Sequence, residues 1–185
     1  MVGVIGAPGS GIRGPGSGIR GPGGAGPGRG EWAVRISAKA DYAVRAAVEL
    51  AGAGEGRPVK GEELAERQGI PKNFLENILT ELRRSGIVRS RRGADGGYML
   101  ARPAADVTVA DVLRAVEGPL AAVQGVRPED LAYEGAAASL PDVWVALRAS
   151  LREVLEHVTL ADVASGRLPA DVRRRTRAQD AWRPH

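Results

Sequence analysis

Between residues 37 and 119 the apolar positions fall into helical and strand-like groups in a definite order. Ser37 is placed to cap a helix running to about Ala51, with Tyr42, Val44, Ala47, Val48 and Leu50 as apolar contacts and Gly52 to Gly56 as its end. Glu62 to Arg67 reads as a short second helix and Pro71 to Ser85 as a third. In the third, Phe74, Ile78 and Leu82 recur at helical spacing and are expected inward, which leaves Lys72, Asn73, Glu76, Asn77 and Thr80 facing outward. Ile87-Val88 and Tyr98-Met99-Leu100 predict two short strands across a glycine-rich turn. Thr108 then caps a fourth helix, Val109 to Glu117, with Asp111 as the capping-box acid and Gly118-Pro119 as the stop.

The order of these elements predicts a winged helix-turn-helix. Ala65, Gly69, Ile70 and Leu75 have the required spacing, in which a small residue lets two helices cross closely and a glycine makes the turn. Pro71 starts the next helix where a missing N–H costs nothing. The fold class is therefore mainly α with a small β-wing, in a domain spanning residues 34–119.

Residues 120–140 carry a weaker pattern, broken by Gly125, Pro128 and Gly135, and are expected to be a linker with little fixed structure. Order returns at residues 141–164. Val143, Trp144, Leu147, Leu151, Val154, Leu155 and Val158 form a stripe spaced by three and four residues. Such a stripe either packs on its own winged domain or pairs with a second copy. The second reading is preferred, because a winged domain of this size closes its own core and DNA half-sites favour two-fold symmetric readers. Residues 165–185 turn basic and are expected to be a mobile tail.

The first 33 residues differ in kind: they hold 13 of the 26 glycines and a tandem seven-residue repeat from Pro8 to Gly21. Such a segment buries too little apolar surface to offset its chain entropy, so disorder is expected. Gly9-x-Gly11-x-x-Gly14 and Gly16-x-Gly18-x-x-Gly21 match a dinucleotide-binding pattern, but no strand precedes either and no helix follows. The segment is either a true extension or the product of a start placed too far upstream. The upstream-start reading is preferred, with Val34 as the first residue.

Charge placement changes the picture more than net charge, which is only +4. Arg83, Arg84, Arg89, Arg91 and Arg92 lie within ten residues that contain no acid, a patch suited to a phosphate backbone. The absence of cysteine excludes disulfides, thiolate metal sites and a cysteine nucleophile. No apolar run approaches the roughly 18 residues that span a bilayer, and a cytoplasmic protein without membrane partners is expected. Enzymatic function is not expected, since the histidines are His157, inside the apolar stripe, and the terminal His185, neither within a recognisable catalytic constellation.

Several segments together resemble the Rrf2 family of bacterial transcription regulators. They are Ile36 to Ala43, Leu64 to Pro71, Phe74 to Leu79, the wing Arg92 to Tyr98, Val109 to Gly118, and Thr159 to Val163. The resemblance covers about Val34 to Ala164. It implies a homodimer whose winged domains flank crossed long helices and which binds palindromic operators in double-stranded DNA, usually as a repressor. It also implies base-reading positions at Lys72, Asn73, Glu76 and Asn77, and wing contacts at Ser90, Arg92 and Gly93. Arg84 and Arg91, with Lys72 and Arg89, are expected at phosphates, the alternative being a solvated surface. Glu76 either accepts from a cytosine amino group or pairs with Arg83 or Lys72.

Many members of the family hold an iron–sulfur cluster through three cysteines in the segment that is Leu120 to Leu140 here. This segment offers Gln124, Glu129, Asp130, Tyr133 and Glu134 instead, and carboxylates are poor substitutes for soft thiolates. No cluster, metal or other cofactor is therefore expected. Some members without clusters sense by other routes, including one type that represses cysteine-metabolism genes and takes its signal from a partner enzyme. No residue here identifies an effector or partner protein. The competing function is a winged domain that binds only another protein, which the acid-free arginine cluster argues against.

Overall fold

The computed structural model describes residues 36–183. The glycine repeat and the start expected at Val34 lie outside the described residues. The elements are α1 (Ala38–Gly52), α2 (Gly61–Gln68), α3 (Lys72–Arg84), β1 (Val88–Arg91), β2 (Gly97–Leu100), α4 (Val109–Glu117), α5 (Leu140–Leu155), α6 (Leu160–Ser165) and α7 (Ala170–Thr176). The protein is mostly helical, with one two-stranded antiparallel sheet as its wing.

Helix α1 is the hub, packing against α2, α3, α4, α6 and β2. Its inner face is Ala40, Ala43, Ala46, Ala47 and Leu50, all buried, whereas Tyr42, Val44 and Val48 are only partly buried. Small side chains on that face let five neighbours approach one helix, which the larger apolar residues would have prevented. Ser37 caps α1 as expected, its hydroxyl accepting from the Ala40 amide at 3.0 Å and donating to Glu117 at 2.6 Å. Lys39 ties three helices together: its ammonium donates to the Val116 carbonyl at 2.7 Å and pairs with Glu81 at 2.8 Å.

Helices α2 and α3 meet at Gly69, whose φ of 60° is the left-handed conformation that ends α2 and turns the chain. Pro71 stands one position outside α3, as its capping residue, and its carbonyl accepts from Leu75 at 3.0 Å. The inward face of α3 is Leu75, Ile78, Leu79 and Leu82. Phe74, expected inside, is 52% exposed. The four buried residues already fill one helical arc, and Phe74 sits at its margin with its ring edge-on to Tyr42 at 6.3 Å.

The wing pairs Val88 with Leu100 and Arg91 with Gly97. The ladder thus runs further toward the turn than the two apolar clusters suggested. Val59 adds an unforeseen bridge, exchanging two backbone hydrogen bonds of 2.8 Å with Tyr98. That approach is why Gly97 must be glycine: its φ is +154°, and a Cβ there would stand 2.5 Å from the Val59 carbonyl oxygen.

Helices α4 and α6 begin side by side with matching capping boxes, Thr108 with Asp111 and Thr159 with Asp162. Backbone hydrogen bonds of 2.9 Å from Val109 to Val158 and from Leu160 to Val107 join the two starts. This junction corrects the expectation of one apolar stripe along one helix. Helix α5 ends at Leu155, and Val158 is a buried residue of the chain's own core. The remainder of the stripe lies on α5, none of whose residues is fully buried.

Two further expectations need correction. The linker at 120–140 contains short 3₁₀ turns at Pro128–Asp130 and Gly135–Ala137; Pro128 is buried, and α5 packs on the first turn. The basic tail forms α7, anchored to α5 by Arg175 and Glu153 at 2.8 Å, and the Trp182 indole donates to the Thr176 carbonyl at 2.6 Å. No helix among the described residues is long and apolar enough to cross a membrane.

Candidate nucleic-acid interface

Burial of Leu75, Ile78, Leu79 and Leu82 fixes the roll of α3 about its axis, and so fixes what it presents to solvent. Lys72, Asn73, Glu76 and Asn77 are all exposed, as two adjacent i, i+4 rows. The amides of Asn73 and Asn77 have no intramolecular hydrogen bond among the described residues, so their donors and acceptors remain available to a partner. Thr80 does not join them: it is half-buried and its hydroxyl donates to the Glu76 carbonyl at 2.9 Å.

Lys72 carries a partner, since its ammonium pairs with Glu62 of α2 at 2.9 Å. That hydrogen bond, reinforced by the charge of Glu62, raises the lysine pKa above its ordinary value and lowers that of the carboxyl. Glu76 is exposed and forms no ion pair with Lys72 or Arg83 among the described residues, although its charge helps to raise the Lys72 pKa.

The wing supplies the second part. Ser90 and Arg91 lie on β1, Arg92 and Gly93 in the turn beyond it, and all four are exposed. Gly93 has a φ of +107°, and a Cβ on Gly96 would stand 2.4 Å from the Arg91 carbonyl oxygen, so the turn closes only with glycine there. Arg83 and Arg84 end α3. Together with Arg89, Arg91 and Arg92 they are exposed, and none forms an ion pair among the described residues. The sequence cluster thus becomes a set of exposed arginines, without ion pairs among the described residues, at the end of α3 and along the wing.

This geometry can place a helix in a major groove and an arginine-tipped hairpin beside it, with cations along the flanking backbones. Arg92 has the reach and charge to enter a narrow minor groove. Phe74 is the residue the sequence reading missed. The available signal was the second apolar arc of Leu75, Ile78, Leu79 and Leu82, which overlaps the arc that contains Phe74.

The Rrf2 family profile, described as an iron-dependent transcriptional regulator, matches residues 36–166. The chain belongs to the Rrf2 family. Among its relatives is Rv1287 of Mycobacterium tuberculosis (strain H37Rv), named as a "Putative HTH-type transcriptional regulator". It is 57% identical over 139 residues, covering 75% of this chain and 86% of that one. CymR of Bacillus subtilis, an HTH-type transcriptional regulator, is 34% identical over 133 residues, 71% of this chain and 91% of its own. The solved structure of CymR, described as the global cysteine regulator of B. subtilis, superposes with a TM-score of 0.62 at 33% identity, covering 72% of this chain and 98% of that one. The structure of T. potens IscR superposes with a TM-score of 0.60 at 32% identity, covering 84% and 96%. This Rrf2 protein is therefore a winged-helix, DNA-binding transcription regulator.

The family description raises the question of iron, and the donor set here does not fit it. The chain has no cysteine, and among the described residues no three His, Asp or Glu side chains are grouped as metal ligands. Within 120–140, Glu129 is already engaged by Arg148. His157 is exposed, with Nδ1 2.8 Å from the Glu153 carbonyl.

Proposed function

We propose that this Rrf2 protein is a homodimeric repressor that reads a palindromic operator and works without an iron–sulfur cluster. The observation that carries the reading is the combination of exposed arginines at the end of α3 and on the wing with exposed amides on α3, none of them engaged among the described residues. Lys72, Asn73, Glu76 and Asn77 read base edges, Arg84 and Arg91 hold phosphates, and Ser90, Arg92 and Gly93 bring the wing against the adjoining groove. Dimerisation uses the exposed apolar face of α5: Val143, which is 54% exposed, and the partly exposed Trp144, Leu147, Leu151, Val154 and Leu155. A two-fold axis through paired α5 helices would present two reading helices to successive turns of one DNA face. The protein would act in the cytoplasm, and it has no catalytic role.

Selection of bound duplexes from a random pool tests the reading. An enriched site with two-fold symmetry and half-sites about one helical turn apart is expected. Failure to enrich any sequence, with binding to protein partners instead, would favour the winged domain as a protein-docking module. Iron content tests the cluster-free part: the protein purified anaerobically should be colourless. Visible absorption lost with a chelator and restored by iron and sulfide would overturn it.

A further inference from the structure

A second charged feature lies in a solvent-open cavity of about 420 Å³ between the end of α4, the loop after it and α5. Four guanidiniums line it, Arg114 from α4, Arg127 from the loop, and Arg148 and Arg152 from α5, with Glu129 as its one lining carboxylate. Glu129 hydrogen-bonds Arg148, and Glu156 hydrogen-bonds both Arg114 and Arg152, at 2.9 Å for Arg152. Asp111 reaches Arg114 only at 3.9 Å while it closes the α4 capping box. Arg127 forms no ion pair among the described residues, and Glu129, the carboxylate its charge acts on, is already hydrogen-bonded to Arg148. The positive charge converging on the cavity therefore exceeds the negative charge that answers it.

Such an imbalance draws anions toward the opening. Guanidinium groups are also the side chains best matched to planar carboxylates and to phosphates, through two parallel N–H···O bonds. Arg148 and Arg114 are held in position by their glutamates, and their side chains are only 22% and 38% exposed, so part of the site is preorganised. The volume suits a small molecule rather than a polymer.

We infer that this cavity is a binding site for a compact oxyanion carrying at least two negative charges, a polycarboxylate or a phosphate-bearing small molecule. Arg127 supplies the uncommitted guanidinium, and Arg148 and Arg152 complete the cradle from α5. Because the four arginines come from α4, the loop and α5, a bound anion would fasten the proposed dimer helix to the winged domain. If the proposed function holds, occupancy would then change the spacing or freedom of the two reading heads, so that the anion acts as an effector.

Calorimetric titration of the full chain with pyrophosphate and with citrate, against sodium chloride at matched ionic strength, tests the site without reference to DNA. Saturable binding of one anion per chain is expected for at least one of the two, and which one binds distinguishes phosphate from carboxylate chemistry. Arg127→Gln should weaken it at least tenfold, while Arg173→Gln, on exposed α7, should leave it unchanged. Heats that never saturate with either anion, or equal affinity in the two variants, would overturn the inference. DNA binding by Arg127→Gln without added anion should match wild type. A loss there would make the cavity a seat for DNA phosphates and would also overturn it, whereas anion binding by a protein that fails to bind DNA would count against the proposed function alone.

Discussion

On the reading head, Arg83, Arg84, Arg89, Arg91 and Arg92 stand exposed without ion-pair partners among the described residues, over an interior in which every large apolar residue of α3 except Phe74 is buried. Along α5 the arrangement is reversed. Arg148 and Arg152 are engaged by Glu129 and Glu156, while Val143 and the other stripe residues on α5 remain at least partly open, as does Val145 beside them. An unpaired cation at a surface is favourable where a polyanion will replace its water and counterions. An unburied valine or leucine is favourable where a second protein surface will cover it. The contrast supports the proposal that the two regions meet different partners, DNA at the head and another copy of the chain at α5.

The largest effect should come from charging the apolar face. Leu151→Glu places a carboxylate in the middle of the α5 stripe, where a central interface residue is typically worth at least about 2 kcal/mol. The dimer should dissociate by about thirtyfold or more in sedimentation equilibrium, with helical content retained. An unchanged dimer would mean that the stripe serves its own chain.

A smaller effect, of opposite sign, is expected on the head. Glu62 holds Lys72 through a hydrogen bond between two exposed groups. DNA must compete with that carboxylate, so Glu62→Gln should tighten binding to any duplex by about two- to fivefold at low salt, with the gain fading as salt screens the charge. Weaker binding would show that Glu62 presents Lys72 rather than restrains it.

The smallest effect lies in the frame that supports the head. Glu49 of α1 accepts from Arg67 at 2.8 Å and from Gln68 at 2.7 Å, joining α1 to α2. The hydrogen bond from Arg67 is the main reason its pKa lies below the ordinary 4.5. A lowered carboxyl pKa contributes stability above the unfolded value, and that contribution disappears as pH falls through the folded one. Wild type should therefore exceed Glu49→Gln by at most about 1 kcal/mol at neutral pH, and the gap should close in urea melts as pH falls below the ordinary carboxylate range. A gap independent of pH would assign the effect to packing.

Local signals made the head legible in the sequence. Capping residues Ser37 and Thr108, the left-handed Gly69 and the glycine turn of the wing each act within a few residues, and each stands where its pattern put it. What escaped depended on contacts between distant segments. Val59 meets Tyr98 across nearly forty residues, and Val158 is buried because its carbonyl accepts from Val109, a partner no periodicity discloses. The outer face of α3 was legible in part: Asn73 and Asn77 are exposed as expected, but Phe74 could be placed only by choosing between two overlapping apolar arcs. The arginine cavity was the least accessible, since its residues are spread from Arg114 to Arg152 and converge only when α5 folds back on the loop.

The central claim is that α3 reads bases while the wing strand holds phosphates, and paired variants measured across a salt series test it most directly. Asn77→Ala should lose about 1–3 kcal/mol at the selected operator and much less on random duplex, with the salt slope retained. Arg91→Ala should weaken both DNAs alike and reduce the slope of log affinity against log salt by about one unit. Operator binding unchanged in both variants at near-physiological salt would contradict the assignment of this face to DNA.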